Sequence, residues 1–303
     1  MKALLWIAVS LCLGAGMGPA AAAQTPTIHV NVHLVNVFVN VSDAHGAPVA
    51  GLSKDNFQLS EDDRPQDIAI FERQTDLPLN IVLAIDTSGS VRKDSRLELD
   101  AAHRFLHSFL RPIDRLDLME FSDNVREITG FTNNLGRIDR GLNSMRGGAA
   151  TALYSAIYLA AQNLAPRSGR KVLVLISDGS NTVQGGTYDM ALDEAVRGEA
   201  IVYSIIDVPI AASAGRDLAG EHAMITLAQE TGGRYFYADS SSLDQIFNQV
   251  SQDLRTQYLL GYYPKNSTPG AGFRSISVHL RDVPPGSDYS VRNRTGYYPT
   301  AGQ

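Results

Sequence analysis

Asp86, Ser88 and Ser90 stand two residues apart, directly after the apolar run Leu79-Asn80-Ile81-Val82-Leu83-Ala84-Ile85. A carboxylate and two hydroxyls are hard oxygen donors, suited to Mg²⁺, with Mn²⁺ or Ca²⁺ as alternatives, rather than to zinc or copper. The same residue types are ordinary helix N-caps, so this string alone supports capping equally well. Two later segments add donors in similar settings. Thr151 separates the glycine-rich Gly147-Gly148-Ala149-Ala150 from a helical pattern, and Asp178 follows a second apolar run, Val172–Ser177.

Such donors need rigid elements behind them. An apolar run rich in β-branched residues reads as a strand buried on both faces, which delivers whatever follows it to a loop at its C-terminal end. From Pro78 onward the pattern alternates between strand and helix, the mark of a parallel sheet covered on both faces. Strands are expected at Leu79–Asp86, Arg115–Phe121, Val125–Phe131, Lys171–Ser177, Ala200–Asp207 and Arg234–Tyr237. Helices are expected at Arg96–Leu110, Leu135–Met145, Ala152–Leu164, Asp189–Arg197, Asp217–Thr231 and Ser242–Thr256. The short Ser122-Asp123-Asn124 turn makes Val125–Phe131 antiparallel to its predecessor.

Both flanks read as β structure. Residues Ile28–Val41 alternate apolar with polar, and the phase slips by one at Leu34–Val35, as at a β-bulge or a break between strands. Phe57–Ser60 and Ile68–Phe71 flank a charged turn, and β patterns return at Gln257–Tyr263, Arg274–Arg281 and Tyr289–Arg292. Each flank has only about 50 residues, marginal for a sheet domain of its own. One discontinuous β-sandwich built from both flanks solves this, with Val37, Val39, Phe57, Ile70, Leu260, Ile276, Val278 and Val291 pointing inward. Two separate small β units are the alternative.

Asp86, Ser88, Ser90, Thr151 and Asp178, in this order and strand context, resemble the metal-ion-dependent adhesion site of von Willebrand factor type A domains. The resemblance runs from Leu77 to Leu254. It implies an α/β, Rossmann-like fold with a six-stranded, mostly parallel sheet and helices on both faces. In that family the two serines and the threonine ligate the metal, and the aspartates bind it directly or through water. The flanks look like the type A-related secreted proteins abundant in acidobacteria, chiefly through Tyr258-Leu259-Leu260-Gly261-Tyr262-Tyr263-Pro264. Those proteins usually carry Asp-Gly where this chain has Asp62-Asp63, which leaves that turn's geometry open. The implied partition is a signal peptide at 1–23, an N-terminal β segment at 24–76, the type A domain at 77–254 and a C-terminal β segment at 255–303.

The N-terminus sets the compartment. Lys2, the apolar stretch Ala3–Leu13 and the small-residue site Ala21-Ala22-Ala23 read as a signal peptide cleaved after Ala23. A secreted or periplasmic protein follows, with an uncleaved anchor as the alternative. No later stretch approaches the ~20 apolar residues that spanning a bilayer requires. The single cysteine, Cys12, falls within the signal. The mature chain of roughly 280 residues is therefore held by a hydrophobic core and not by disulfides.

Chemistry of other kinds finds little support. The net charge is −6, and no basic run with interleaved aromatics points to nucleic acid. P-loop, Gly-x-Ser-x-Gly and Gly-x-Gly-x-x-Gly motifs do not occur in the mature chain, and no histidine accompanies Ser88 as a base. His103 and His107 lie four apart on a helix without the glutamate of a His-Glu-x-x-His motif, which favours packing or solvent exposure over metal binding. The expected function is non-enzymatic: a secreted, metal-dependent protein-binding or adhesion module. A partner's Asp or Glu carboxylate would complete the metal's coordination. The alternatives are a structural cell-envelope protein whose metal only stabilises its loops, and a hydrolase.

Overall fold

The computed structural model describes residues 34–73, 76–89, 95–207, 217–238, 242–265, 272–284 and 286–299. The expected signal peptide, the strand start at 28–33 and Ser90 lie outside the described residues. The chain first lays down β1 (Val35–Ser42), β2 (Phe57–Glu61), β3 (Arg64–Gln66) and β4 (Ile68–Arg73). A strand–helix series follows: β5 (Leu79–Asp86), α1 (Ser95–Phe109), β6 (Arg115–Phe121), β7 (Val125–Glu127), α2 (Leu135–Leu142), α3 (Leu153–Leu164) and β8 (Arg170–Ser177). It continues through α4 (Tyr188–Arg197), β9 (Ile201–Asp207), α5 (Leu218–Glu230), β10 (Arg234–Ala238) and α6 (Leu243–Arg255). The last elements are β11 (Tyr258–Tyr262), β12 (Arg274–Leu280), β13 (Ser290–Arg292) and β14 (Gly296–Tyr297).

The central sheet has the order β10-β9-β8-β5-β6-β7, parallel throughout except for β7. Every residue of β5 is buried, because the two faces of the sheet are both covered. Leu79, Ile81, Leu83 and Ile85 pack with α1, α2 and α6, while Val82 and Ala84 pack with α3, α4 and α5. Full burial of each large aliphatic side chain stabilises by about 1.5–3 kcal/mol. From β5 the chain moves to β6 on one side, and from β8 it moves to β9 on the other. The strand order therefore reverses between β5 and β8, where α/β sheets open a crevice at the carboxyl ends of the strands.

The expected strand Val125–Phe131 is shorter than its alternation suggests, ending at Glu127. Beyond it Thr129 turns inward, its Oγ1 accepting the Leu118 N–H at 3.0 Å. Gly130 follows at φ +60°, and pairing resumes only as a bridge between Leu116 and Thr132. A polar side chain and a left-handed glycine thus interrupt a pattern that reads as continuous.

The flanking segments share two further four-stranded sheets, β13-β1-β11-β4 and β14-β12-β2-β3. Strand β11 lies between β1 and β4, antiparallel to both, and β12 lies against β2. N-terminal and C-terminal strands thus pair within both sheets, alternating in the first and meeting at β12 and β2 in the second. Val37, Val39, Phe57, Leu59, Leu260, Ile276 and Val278 form the core of this sandwich, with Val291 packed at the margin. Ile70 is a correction. Its partner Gly261 is followed by a register shift that pairs Tyr262 with Ile68, leaving Ala69 as an extra residue. The bulge reverses the facing of β4, so Ile68 and Phe71 join the core instead.

The Asp62-Asp63 turn also resolves. Glu61 pairs with Arg64, and the two aspartates lie at φ +47° and +60°, the left-handed pair that a two-residue type I′ hairpin requires. Asp62 earns its place by accepting the Ser275 N–H at 3.0 Å. Beside this turn the buried Glu61 accepts from Tyr262 Oη at 2.6 Å, Tyr297 Oη at 3.0 Å and Arg274 Nη1 at 2.7 Å. That network ties Tyr262 on β11 and Tyr297 on β14 into the sandwich, while Tyr263 is exposed. A C-terminal strap fixes the sandwich to the helices. Arg292 donates to Asp253 at 2.8 Å, Thr295 N–H to the Glu230 carbonyl at 2.9 Å, and Tyr298 Oη to Asp193 at 2.7 Å.

Candidate metal centre

Four of the five oxygen donors read from the sequence lie within the described residues, and all four are at the carboxyl edge of the central sheet. Asp86 ends β5 and Asp178 follows β8, on either side of the point where strand order reverses. Asp86 and Ser88 are each 1 % exposed. One Asp86 oxygen accepts the Ser88 N–H at 2.9 Å and the other accepts Ser177 Oγ at 2.7 Å. Burial pushes the Asp86 carboxyl up to about 6, the charge of Asp178 adding to the rise while the hydrogen bonds from Ser177 and Ser88 oppose it. Among the described residues, no Lys, Arg or His pairs with Asp86 or Asp178.

Thr151 is buried at the start of α3 and reaches this edge through a web of loops. Its N–H donates to Thr182 Oγ1 at 2.8 Å, and its carbonyl accepts from Thr182 and Val183 at 2.9 and 3.1 Å. The loop carrying Thr151 is therefore sewn to the loop carrying Asp178. It is sewn equally to the loop of Ser88: Gly148 N–H donates to the Thr87 carbonyl at 3.1 Å, and Thr87 Oγ1 to the Arg146 carbonyl at 3.0 Å. Asp123 holds the same segment from the third side, accepting the N–H groups of Ala149 and Ala150, both at 3.0 Å.

Gly179 closes the back of the crevice. It lies at φ +90°, and a Cβ there would stand 2.8 Å from the Glu221 nitrogen and 2.9 Å from the Gly220 carbonyl carbon. Only glycine allows the loop after β8 to turn this tightly against the first turn of α5.

The donor set consists of hydroxyls and carboxylates, with a buried acid that has no cationic partner among the described residues. This fits a hard divalent cation, since a buried carboxylate without compensation is costly. Ser177, Thr182 and Asp123 have supporting positions that sequence reading did not single out. The Ser177-Asp178-Gly179 string contained the first, but Thr182 and Asp123 act through loops that no local pattern joins.

The residues matched by a family model now decide the fold's kinship. Residues 81–181 match the model described as von Willebrand factor type A domain. Over these residues the chain is similar to a von Willebrand factor type A domain. Solved structures agree at the level of fold. A von Willebrand factor type A protein from Catenulispora acidiphila has a TM-score of 0.51 and 10 % identity, over 86 % of this chain and 72 % of that one. The mussel byssus proximal thread matrix protein 1, in a form with a zinc-occupied adhesion-site motif, gives 0.52 and 14 % identity, over 65 % and 50 %. The pilus adhesin SpaC from Lactobacillus rhamnosus GG, in an open conformation, gives 0.50 and 12 % identity, over 86 % and 48 %. No curated protein matches significantly. The six-stranded α/β unit is flanked in sequence by the sandwich strands, and no described helix is long and apolar enough to cross a membrane.

Proposed function

We propose that this protein is a secreted, non-enzymatic binding module whose type A domain holds Mg²⁺ and offers it to a carboxylate of a protein partner. The ligands in this reading are Asp86, Ser88, Ser90, Thr151 and Asp178, within a type A domain spanning 77–254. The observation that carries it is the buried Asp86 carboxylate, which shares the sheet edge with Asp178, Ser88 and Thr151 and, among the described residues, pairs with no basic side chain. A divalent ion supplies that charge, and Mg²⁺ keeps positions free for exchangeable ligands. The adhesion-site motif named in the mussel protein and the adhesin role of SpaC support the same reading by analogy. Secretion rests on the signal-like segment that ends at Ala23.

The test compares thermal unfolding and capture of partners from the native cell envelope, with Mg²⁺ and with EDTA. Wild type should gain melting temperature with Mg²⁺ and retain partners only in its presence. Asp86→Ala and Asp178→Ala should lose both effects while keeping a native circular dichroism spectrum. Capture that persists in EDTA, or in both variants, overturns the binding reading. A Mg²⁺-dependent thermal shift without any Mg²⁺-dependent capture would leave only a stabilising metal.

A further inference from the structure

On the face of the central sheet covered by α1, α2 and α6, three potential metal ligands converge away from the oxygen-lined edge. His103 and His107 lie one turn apart on α1, and Asp139 lies on α2. His107 Nε2 is 3.0 Å from Asp139 Oδ1 and 3.2 Å from Oδ2, and His103 Nε2 is 3.2 Å from the same Oδ1. One donor atom from each of the three lies within 4.8 Å of the other two. The two imidazoles stack with centroids 4.2 Å apart and planes 20° apart, and both Nε2 atoms lie against the same Asp139 oxygen, so a modest turn of each ring about its side-chain torsions brings both lone pairs onto one ion. Among the described residues, Asp139 pairs with no Lys or Arg.

We propose that His103, His107 and Asp139 form a second metal site, selective for Zn²⁺ or a similar divalent transition ion. Imidazole nitrogen suits zinc, nickel and copper, whereas Mg²⁺ favours oxygen. Ligands bound tetrahedrally at about 2.0–2.1 Å from zinc are separated by about 3.3 Å. The His–Asp spacings already match that value to a few tenths of an ångström. The ion takes the space between the two Nε2 atoms and the carboxylate and keeps a fourth position for water, since the side chains are 46 %, 38 % and 27 % exposed.

The backbone beneath is fixed before any metal arrives. Ala102 and Leu106 precede the two histidines and Ile138 precedes the aspartate, and all three are fully buried in the same core cluster. Asn134 caps α2 by accepting the Arg137 N–H at 3.0 Å. A bound ion therefore clips α1 to α2 without reshaping either. Helix α1 returns the chain from the carboxyl end of β5 at Asp86 to the amino end of β6 at Arg115, and His107 lies in its last turn. The nitrogen-containing site and the oxygen-lined edge are thus separate, and they differ in metal preference.

The experiment uses the full chain, stripped with EDTA, dialysed and returned to excess Mg²⁺ so that the oxygen-lined edge is filled. Zn²⁺ titration by calorimetry should give one site per chain. His103→Gln, His107→Gln and Asp139→Asn should each weaken it by at least about tenfold, and Asp86→Ala should leave it unchanged. Co²⁺ should give wild type the intense visible bands of a nitrogen-containing tetrahedral site, a readout that needs no variant. Zinc binding that survives the histidine substitutions, or that disappears in Asp86→Ala, overturns the proposal and assigns the ion to the oxygen-lined edge. The absence of stoichiometric zinc binding overturns it as well. Circular dichroism of each variant separates loss of a ligand from loss of the fold.

Discussion

At the residue scale, the informative groups are carboxylates held where water does not reach. Asp117 on β6 is fully buried and takes a hydrogen bond from Asn163 Nδ2 at 3.1 Å. Burial pushes its carboxyl from 3.8 up to about 6, with the charge of Glu127 adding to the rise. The folded protein therefore binds a proton between about pH 4 and 6 that the unfolded chain releases. Stability from this residue rises as pH falls through 6, and its full cost is present at pH 7. Asp117→Asn should raise stability at pH 7 by up to about 3 kcal/mol and leave it unchanged near pH 4. Urea unfolding at the two pH values checks this, and equal effects at both would show that the charge is not the cause. Asp86 is raised similarly, but there the cost is coupled to a site built of oxygens.

At the element scale, strand identity was legible wherever burial on both faces wrote an unbroken apolar run, as in β5 and β8. The order of donors along the chain was equally legible, because each follows or precedes such a run. The misreadings occur where a backbone irregularity reverses facing. The bulge at Ala69 put Ile70 outside the core, and the inward turn of Thr129 ended β7 early. Neither leaves a mark in hydrophobic periodicity, since one extra residue or one satisfied hydroxyl changes no residue type. The short strands β3 and β14 were missed because pairing, not composition, creates them. Turn geometry likewise depended on context. Asp63 sits at φ +60°, where a side chain costs about 1 kcal/mol relative to glycine. Asp63→Gly should stabilise by about 1 kcal/mol in chemical denaturation, while a loss would mean that Asp63 makes contacts outweighing its strain. Gly179→Ala should do the reverse. Its Cβ would strike the first turn of α5, costing more than about 2 kcal/mol and weakening any Mg²⁺-induced rise in melting temperature. An unchanged melting temperature and Mg²⁺ response would show that this loop can relax.

At the scale of the whole molecule, the sandwich cannot be divided without losing its middle. β11 hydrogen-bonds with β1 on one side and β4 on the other. Deleting residues 257–303 therefore opens two strand edges and uncovers Val37, Val39 and Ile68 together. The truncated product should aggregate on purification, and a monomeric, cooperatively unfolding truncation would contradict the shared core. The excised segment 77–254 keeps all six strands of the central sheet and should fold. It loses the strap of Arg292, Thr295 and Tyr298, so its melting temperature should fall below that of the full chain, as calorimetry would show.

The order in which these parts can form follows from one contact in the sandwich. The Leu52 N–H donates to Tyr258 Oη, a residue 206 positions away, and β4 pairs with β11 across nearly the same span. Closing so long a loop in an unfolded chain carries a large entropic cost and slows any search that depends on it. A folded central sheet shortens that search to the few residues joining β4 to β5 and α6 to β11. Loop-closure entropy therefore favours sequential assembly. The expected order is that the sheet and its helices form first, and the two chain segments outside them then meet as near neighbours. A slow-folding variant of the central sheet would delay the sandwich by the same lag, whereas a variant confined to β2 or β12 would leave the early phase untouched.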